Sequence, residues 1–366
     1  MRALASLFAA LLLLAGCGGK EEVATPASES LTITPAGTRG PLIGLDGDGS
    51  ERFSLDGGVA SADGARYFTA TVTGRKTLLR SHRPSTGRVA ASYPLDGAWR
   101  PAAASANGAY VVLSAARQIA GRSVVAVYDI GARRLQRISL RGRFEVDGIA
   151  ADGEALFLVQ TFADGRYAVR LYDVAARTLH TESIRAKNPD EVMAGTPGEQ
   201  VATPDGIWLL TLFVNTAEQK SFVHALNLRG RYAMCLDLPG EGSPVSDLRG
   251  YGLALTPAGD ALFAPNPALD LVVRIDLVEP GSLSSAGFDA GPTGGGVTAS
   301  AASADGRTVY FARDRNLWAY DAAFSVVRGP YALDGAATRL GFAGRTLYVL
   351  GKGGAMRFDA ATGERL

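Results

Sequence analysis

Cysteine and histidine are scarce in this 366-residue chain, which has only Cys17, Cys235 and three histidines. Two cysteines exclude a disulfide framework. His82, His180 and His224 are far apart in sequence, and without HExxH or CxxC spacing they form no metal motif, so no metal or cofactor is expected. Net charge is lacking as well: 37 basic against 36 acidic side chains give +1, too little to draw the chain onto nucleic acid or anionic lipid. The chain has no Gly-x-Ser-x-Gly elbow and no Gly-Lys-Ser/Thr phosphate loop, and Gly294-Gly295-Gly296 precedes a strand pattern where a phosphate loop would precede a helix. Its longest N-terminal apolar run, Ala3 to Ala15, is too short to span roughly 30 Å of hydrocarbon as a helix. Glycine is plentiful, at 45 residues, and 47% of the chain is apolar, which describes many turns between segments able to fill a large core.

Met1 and Arg2 followed by that apolar run read as an export signal. The run ends Leu14-Ala15-Gly16-Cys17, which resembles the bacterial lipobox. The resemblance implies removal of residues 1–16 and acylation of Cys17. The mature protein is then expected to be anchored to a membrane through its N-terminal lipid, in the cell envelope outside the cytoplasm, at the periplasm or cell surface. Residues 17–50 are rich in Gly, Glu, Ala, Pro, Ser and Thr and read as a flexible tether, with room for a short strand at Leu31 to Thr34. Asp46-Gly47-Asp48-Gly49-Ser50 reads as a turn, because the sixth and twelfth positions of a calcium loop would fall on Glu51 and Gly57.

The remainder, 51–366, repeats. A small-small-Asx-Gly tetrapeptide recurs as Ser61-Ala62-Asp63-Gly64, Ser105-Ala106-Asn107-Gly108, Ala150-Ala151-Asp152-Gly153, Thr203-Pro204-Asp205-Gly206 and Ser303-Ala304-Asp305-Gly306. Thr256-Pro257-Ala258-Gly259 is a further copy, and Phe342-Ala343-Gly344 is a degraded seventh. The glycines lie 44, 45, 53, 53, 47 and 38 residues apart, near the period of a four-stranded propeller blade. After each turn an apolar strand ends in a polar turn residue: His82, Asp129, Asp173, Asn227, Asp276, Asp321 and Asp359. Runs such as Ile207 to Val214 do not alternate, so both faces of their sheets are expected to be covered. Outer strands end in phrases such as Tyr93-Pro94-Leu95-Asp96-Gly97. The same phrase stands alone at Arg52 to Gly57, while the last repeat stops where its outer strand should begin. These observations predict an all-β, seven-bladed β-propeller closed by that N-terminal outer strand, with six or eight blades as alternatives.

The repeats resemble YVTN-type and WD-like propeller repeats, without the Gly-His and Trp-Asp pairs of true WD repeats. That resemblance implies a fold and carries no activity. Trp208 and Trp318 sit in strand patterns and are expected in the core, and Cys235 as a small buried residue. Trp99 and Arg100 are expected on a loop-bearing rim as anchors for another envelope protein or component. Arg117, Arg122 and Arg143 lie on the basic side of that rim, with Asp190, Glu191 and Asp247 on its acidic side. The expected function is a non-catalytic, membrane-anchored interaction platform. The alternatives are a lactonase-like hydrolase or a small-ligand or sugar sensor working from the central funnel.

Overall fold

The computed structural model describes residues 30–33, 39–117, 119–184, 193–279 and 281–366. The leader with Cys17, and Asp190 and Glu191, lie outside the described residues. The rest forms seven antiparallel sheets arranged as the blades of a β-propeller. The chain passes through them in sequence order, and each sheet packs face to face on the next. This double coverage explains the unalternating runs: Trp208–Asn215 is buried at all eight positions. Among the described residues no helix is long and apolar enough to cross a membrane.

The recurrent tetrapeptide is a hydrogen-bonded unit. The Ser61 hydroxyl donates to Asp63 Oδ1 (2.5 Å) and accepts from Arg66 N (3.0 Å), while Asp63 Oδ1 also accepts from Ala65 N (2.9 Å). Gly64 takes φ +68°, a conformation glycine adopts without strain. Ser105 with Asn107, Thr203 with Asp205, and Ser303 with Asp305 repeat this bonding. The copy with Ala258 in the Asx position takes its carboxylate from Asp260, which accepts from the Thr256 hydroxyl at 2.5 Å. The strand-end residues are turn caps, as expected. Asp129, Asp173, Asn227, Asp276, Asp321 and Asp359 each accept backbone N–H groups two or three residues on. These bonds hold Asp276 and Asp359 below the usual carboxylate range.

The seam between the two ends of the chain differs from the sequence expectation in one respect. Arg52 to Gly57 does not join the last sheet. It belongs to the long strand Glu51–Ala60, which pairs with Arg39–Leu45 from Glu51 to Val59 (Leu42 opposite Leu55, Gly44 opposite Phe53). Arg39–Leu45 pairs in turn with Leu31–Ile33, so the first sheet has six strands. Folded structure therefore begins well before residue 51, inside the expected tether. These N-terminal strands form a wedge between the last blade and the first. On one face Leu31, Ile33 and Leu45 pack on Tyr348. On the other, Leu42 packs with Ala60 and Tyr67. At the wedge tip, Gly47 O accepts from Tyr348 Oη (3.1 Å) and Arg357 Nη1 (2.8 Å). The last sheet keeps three strands, and its outer edge is met by the chain's own end, through a bridge between Phe358 and Arg365.

Tyr67 ties the wedge to the first blade. Its buried hydroxyl accepts from Gly58 N (3.1 Å) and lies 2.7 Å from Gly40 O and 2.8 Å from Leu55 O, which share its single proton. Three strands are thereby joined at one atom.

Candidate functional site

The innermost strands surround a central funnel with a cavity of about 1100 Å³. One register fills it. Counting back three residues from the start of each tetrapeptide gives Ala102, Asp147, Gln200, Leu253 and Ser300, and all five line the cavity, as does Arg339 of the last blade, one residue before the Leu340 that holds the Ser300 place. Leu31, three residues before Thr34-Pro35-Ala36-Gly37, also lines it. Its segment, Leu31-Thr32-Ile33-Thr34-Pro35-Ala36-Gly37, matches Leu253-Ala254-Leu255-Thr256-Pro257-Ala258-Gly259 at five of seven positions. The wedge thus places an inner strand in the ring. At the equivalent place in the first blade stands Gly58, opposite Gly40 of the wedge, and the neighbouring Arg39 reaches the funnel there.

Charged side chains of both signs line the cavity. Asp147 and Glu199 stand on the third and fourth blades. Arg339 of the last blade and Arg39 of the wedge line the cavity as well, and so do Glu145 and Arg143 on the strand of Asp147. Asp147 Oδ1 accepts from Gln200 Nε2 (3.0 Å), which also donates to Thr211 Oγ1 (2.9 Å). Burial pushes the Asp147 carboxyl up to about 6, against the lowering effects of the Gln200 hydrogen bond and the Arg39 charge. Glu199 Oε2 accepts from Leu253 N (2.8 Å). Burial raises this carboxyl to about 7, opposed by that hydrogen bond and by Arg339. Arg39 is steered by its Nε bond to Ala102 O (2.9 Å).

The raised carboxyls give a stability prediction. Between about pH 4 and 7 the folded chain holds protons on Asp147 and Glu199 that the unfolded chain releases, so stability falls as pH rises through that window. Glu199→Gln removes one of these groups. It should raise the unfolding free energy at pH 8 by on the order of 1 kcal/mol, read as a higher thermal midpoint, and leave it unchanged at pH 4. A gain of equal size at both pH values would show that Glu199 does not titrate in this way.

Behind the wall between the third and fourth blades, Tyr167 stacks on Phe213 (4.8 Å between centroids). Tyr167 is 6% exposed and lines the cavity, and its hydroxyl has no hydrogen-bond partner. His224 is buried beside it, and burial lowers its pKa to about 4, which keeps it neutral. The half-buried Cys235 lies 3.9 Å from His224 Nδ1 and packs in the same cluster.

Among the described residues, the one rim residue expected from sequence that lines the cavity is Arg143. Trp99 must be corrected. It is 3% exposed and packs between the first two blades with Tyr93, Leu113 and Tyr128. Its Nε1 donates to Asp96 O (2.8 Å) and Arg137 stacks over its ring, so it presents no surface to a partner. Arg100, Arg117 and Arg122 are exposed. Asp247 is half-buried on the short helix Val245–Leu248, with its carbonyl accepting from Asn266. Trp208 and Trp318 lie in the core as expected. No group of three metal-ligating side chains occurs among the described residues.

No protein-family model matches the sequence, and no curated protein matches it either. Among solved structures, apo AztD from Citrobacter koseri superposes with a TM-score of 0.57 at 11% identity, covering 90% of this chain and 91% of that one. The Dos1 propeller gives 0.52 at 11% identity, covering 90% and 93%. The dihydro-heme d1 dehydrogenase NirN, in complex with DHE, gives 0.52 at 16% identity, covering 94% of this chain and 74% of that one. At these identities the likeness is one of fold: the chain is a β-propeller.

Proposed function

We propose that the protein is a bacterial lipoprotein, held outside the cytoplasm by acyl chains on Cys17, whose propeller binds a ligand in its central funnel. The observation that supports this reading is the funnel itself, a cavity of about 1100 Å³ lined by carboxylates and arginines. Such concave sites with a few convergent polar groups are where folds of this kind take ligands. The Leu14-Ala15-Gly16-Cys17 lipobox supplies the address. In cell fractionation the intact chain should stay with membranes through a salt wash, and Cys17→Ser should move it to the soluble fraction. A salt-resistant Cys17→Ser protein would end the anchor assignment.

A docking surface for an acidic envelope partner is the second reading. The observation that favours it is the exposed arginines of the second and third blades, where Arg122 faces Arg141 across paired strands beside Arg143.

A further inference from the structure

We propose that the funnel seats a short peptide with free termini, its ammonium group against Asp147 and Glu199 and its terminal carboxylate against Arg39 and Arg339. This rests on the funnel being the binding site and names the class of ligand it takes.

Three features lead there. The first is polarity. The cavity is lined by carboxylates (Glu145, Asp147, Glu199) and by arginines (Arg39, Arg143, Arg339), which suits a ligand carrying both charges. A simple anion would meet Asp147 and Glu199, and a simple cation would meet Arg39 and Arg339. The second is size. About 1100 Å³ lies just above the roughly 300–1,000 Å³ range of small-molecule sites, room for several linked residues.

The third is the backbone. The inner strands Thr196–Ala202, Ala299–Ala302 and Ala337–Ala343 each pair with a neighbour on one side only. Their other edges turn N–H and C=O groups to the funnel, which an extended peptide complements with the same groups. The lining adds unpaired polar atoms: the Tyr167 hydroxyl, on a side chain more than nine-tenths buried, and the Ser300 hydroxyl. Both are donors and acceptors suited to peptide amides.

The test is isothermal titration of the full-length protein in detergent with a panel of free tripeptides, and with the same peptides N-acetylated or C-amidated. Free tripeptides should bind, and either cap should weaken binding by roughly 10- to 100-fold, the loss expected of one charge-assisted contact. The wild-type comparison needs no variant to fold. In Glu199→Gln the acetyl cap should lose most of its effect while the amide cap keeps its own, and in Arg339→Gln the reverse. Equal binding of free and capped peptides, or binding by no tripeptide, would overturn the proposal. If peptides fail but another small molecule stabilises the wild type and not the Glu199→Gln and Arg339→Gln variants, the funnel remains the binding site and only the peptide assignment falls.

Discussion

Gly58→Ala should destabilise the protein more than any other single methyl addition along the first blade. A Cβ at this position would lie 2.4 Å from Tyr67 Cζ and 2.5 Å from Phe68 O. The ring could swing away, but the carbonyl belongs to a strand paired on both sides and has nowhere to go. Moving the ring would also break the bond from Gly58 N to the Tyr67 hydroxyl and uncouple Gly40 O and Leu55 O from it, all in a buried site. Overpacking of this kind costs about 1–3 kcal/mol, and each stranded backbone group adds roughly 1–3. A loss of about 4 kcal/mol is expected, read as a drop in the thermal midpoint. Gly335→Ala is the control, since nothing lies within 4 Å of a Cβ there. Equal midpoints for the two variants would show that the wedge is not held at Gly58.

The parts of this fold legible in the sequence were those decided locally. The Ser61 to Gly64 turn and the Asp129 and Asp276 caps are made by residues bonding to groups two or three positions away, so their spacing alone betrays them. Seven blades follow from counting such units. Arg52 to Gly57 was misplaced because its phrase matches outer strands such as Ser92 to Gly97, and a strand's composition does not name the strand it pairs with. Trp99 misled because it follows an Asp-Gly turn and precedes an exposed arginine, the pattern of a rim loop. It is instead the first residue of the inner strand Trp99–Ala104, turned inward. The funnel charges were missed for a simpler reason. Asp147 stands at the same offset from its turn as Ala102 and Leu253, and aligning the blades on the tetrapeptide exposes that column, with Arg339 one residue off it. Arg39 could not be found this way, since it enters from the wedge.

Because the wedge carries Arg39 into the funnel, the route by which the ring closes decides the polarity of the candidate site. A Cβ built on Gly49, at the wedge tip, lies 3.4 Å from Ala355 Cβ on the last blade, near the separation of disulfide-bonded cysteines. The double variant Gly49→Cys/Ala355→Cys, with Cys235→Ser to remove the other cysteine of the propeller, should therefore cross-link under mild oxidation. The closed loop would span nearly the whole propeller, so the bond should stabilise by on the order of 4 kcal/mol, less roughly 1–2 for placing a side chain at φ +91°. The direct measurement is non-reducing peptide mapping by mass spectrometry. A 49–355 disulfide in high yield, with a thermal midpoint that falls on reduction, is the expected result. Persistent free thiols at both positions would mean that the wedge does not sit on the last blade, and Arg39 would then lose its place against Ala102 O.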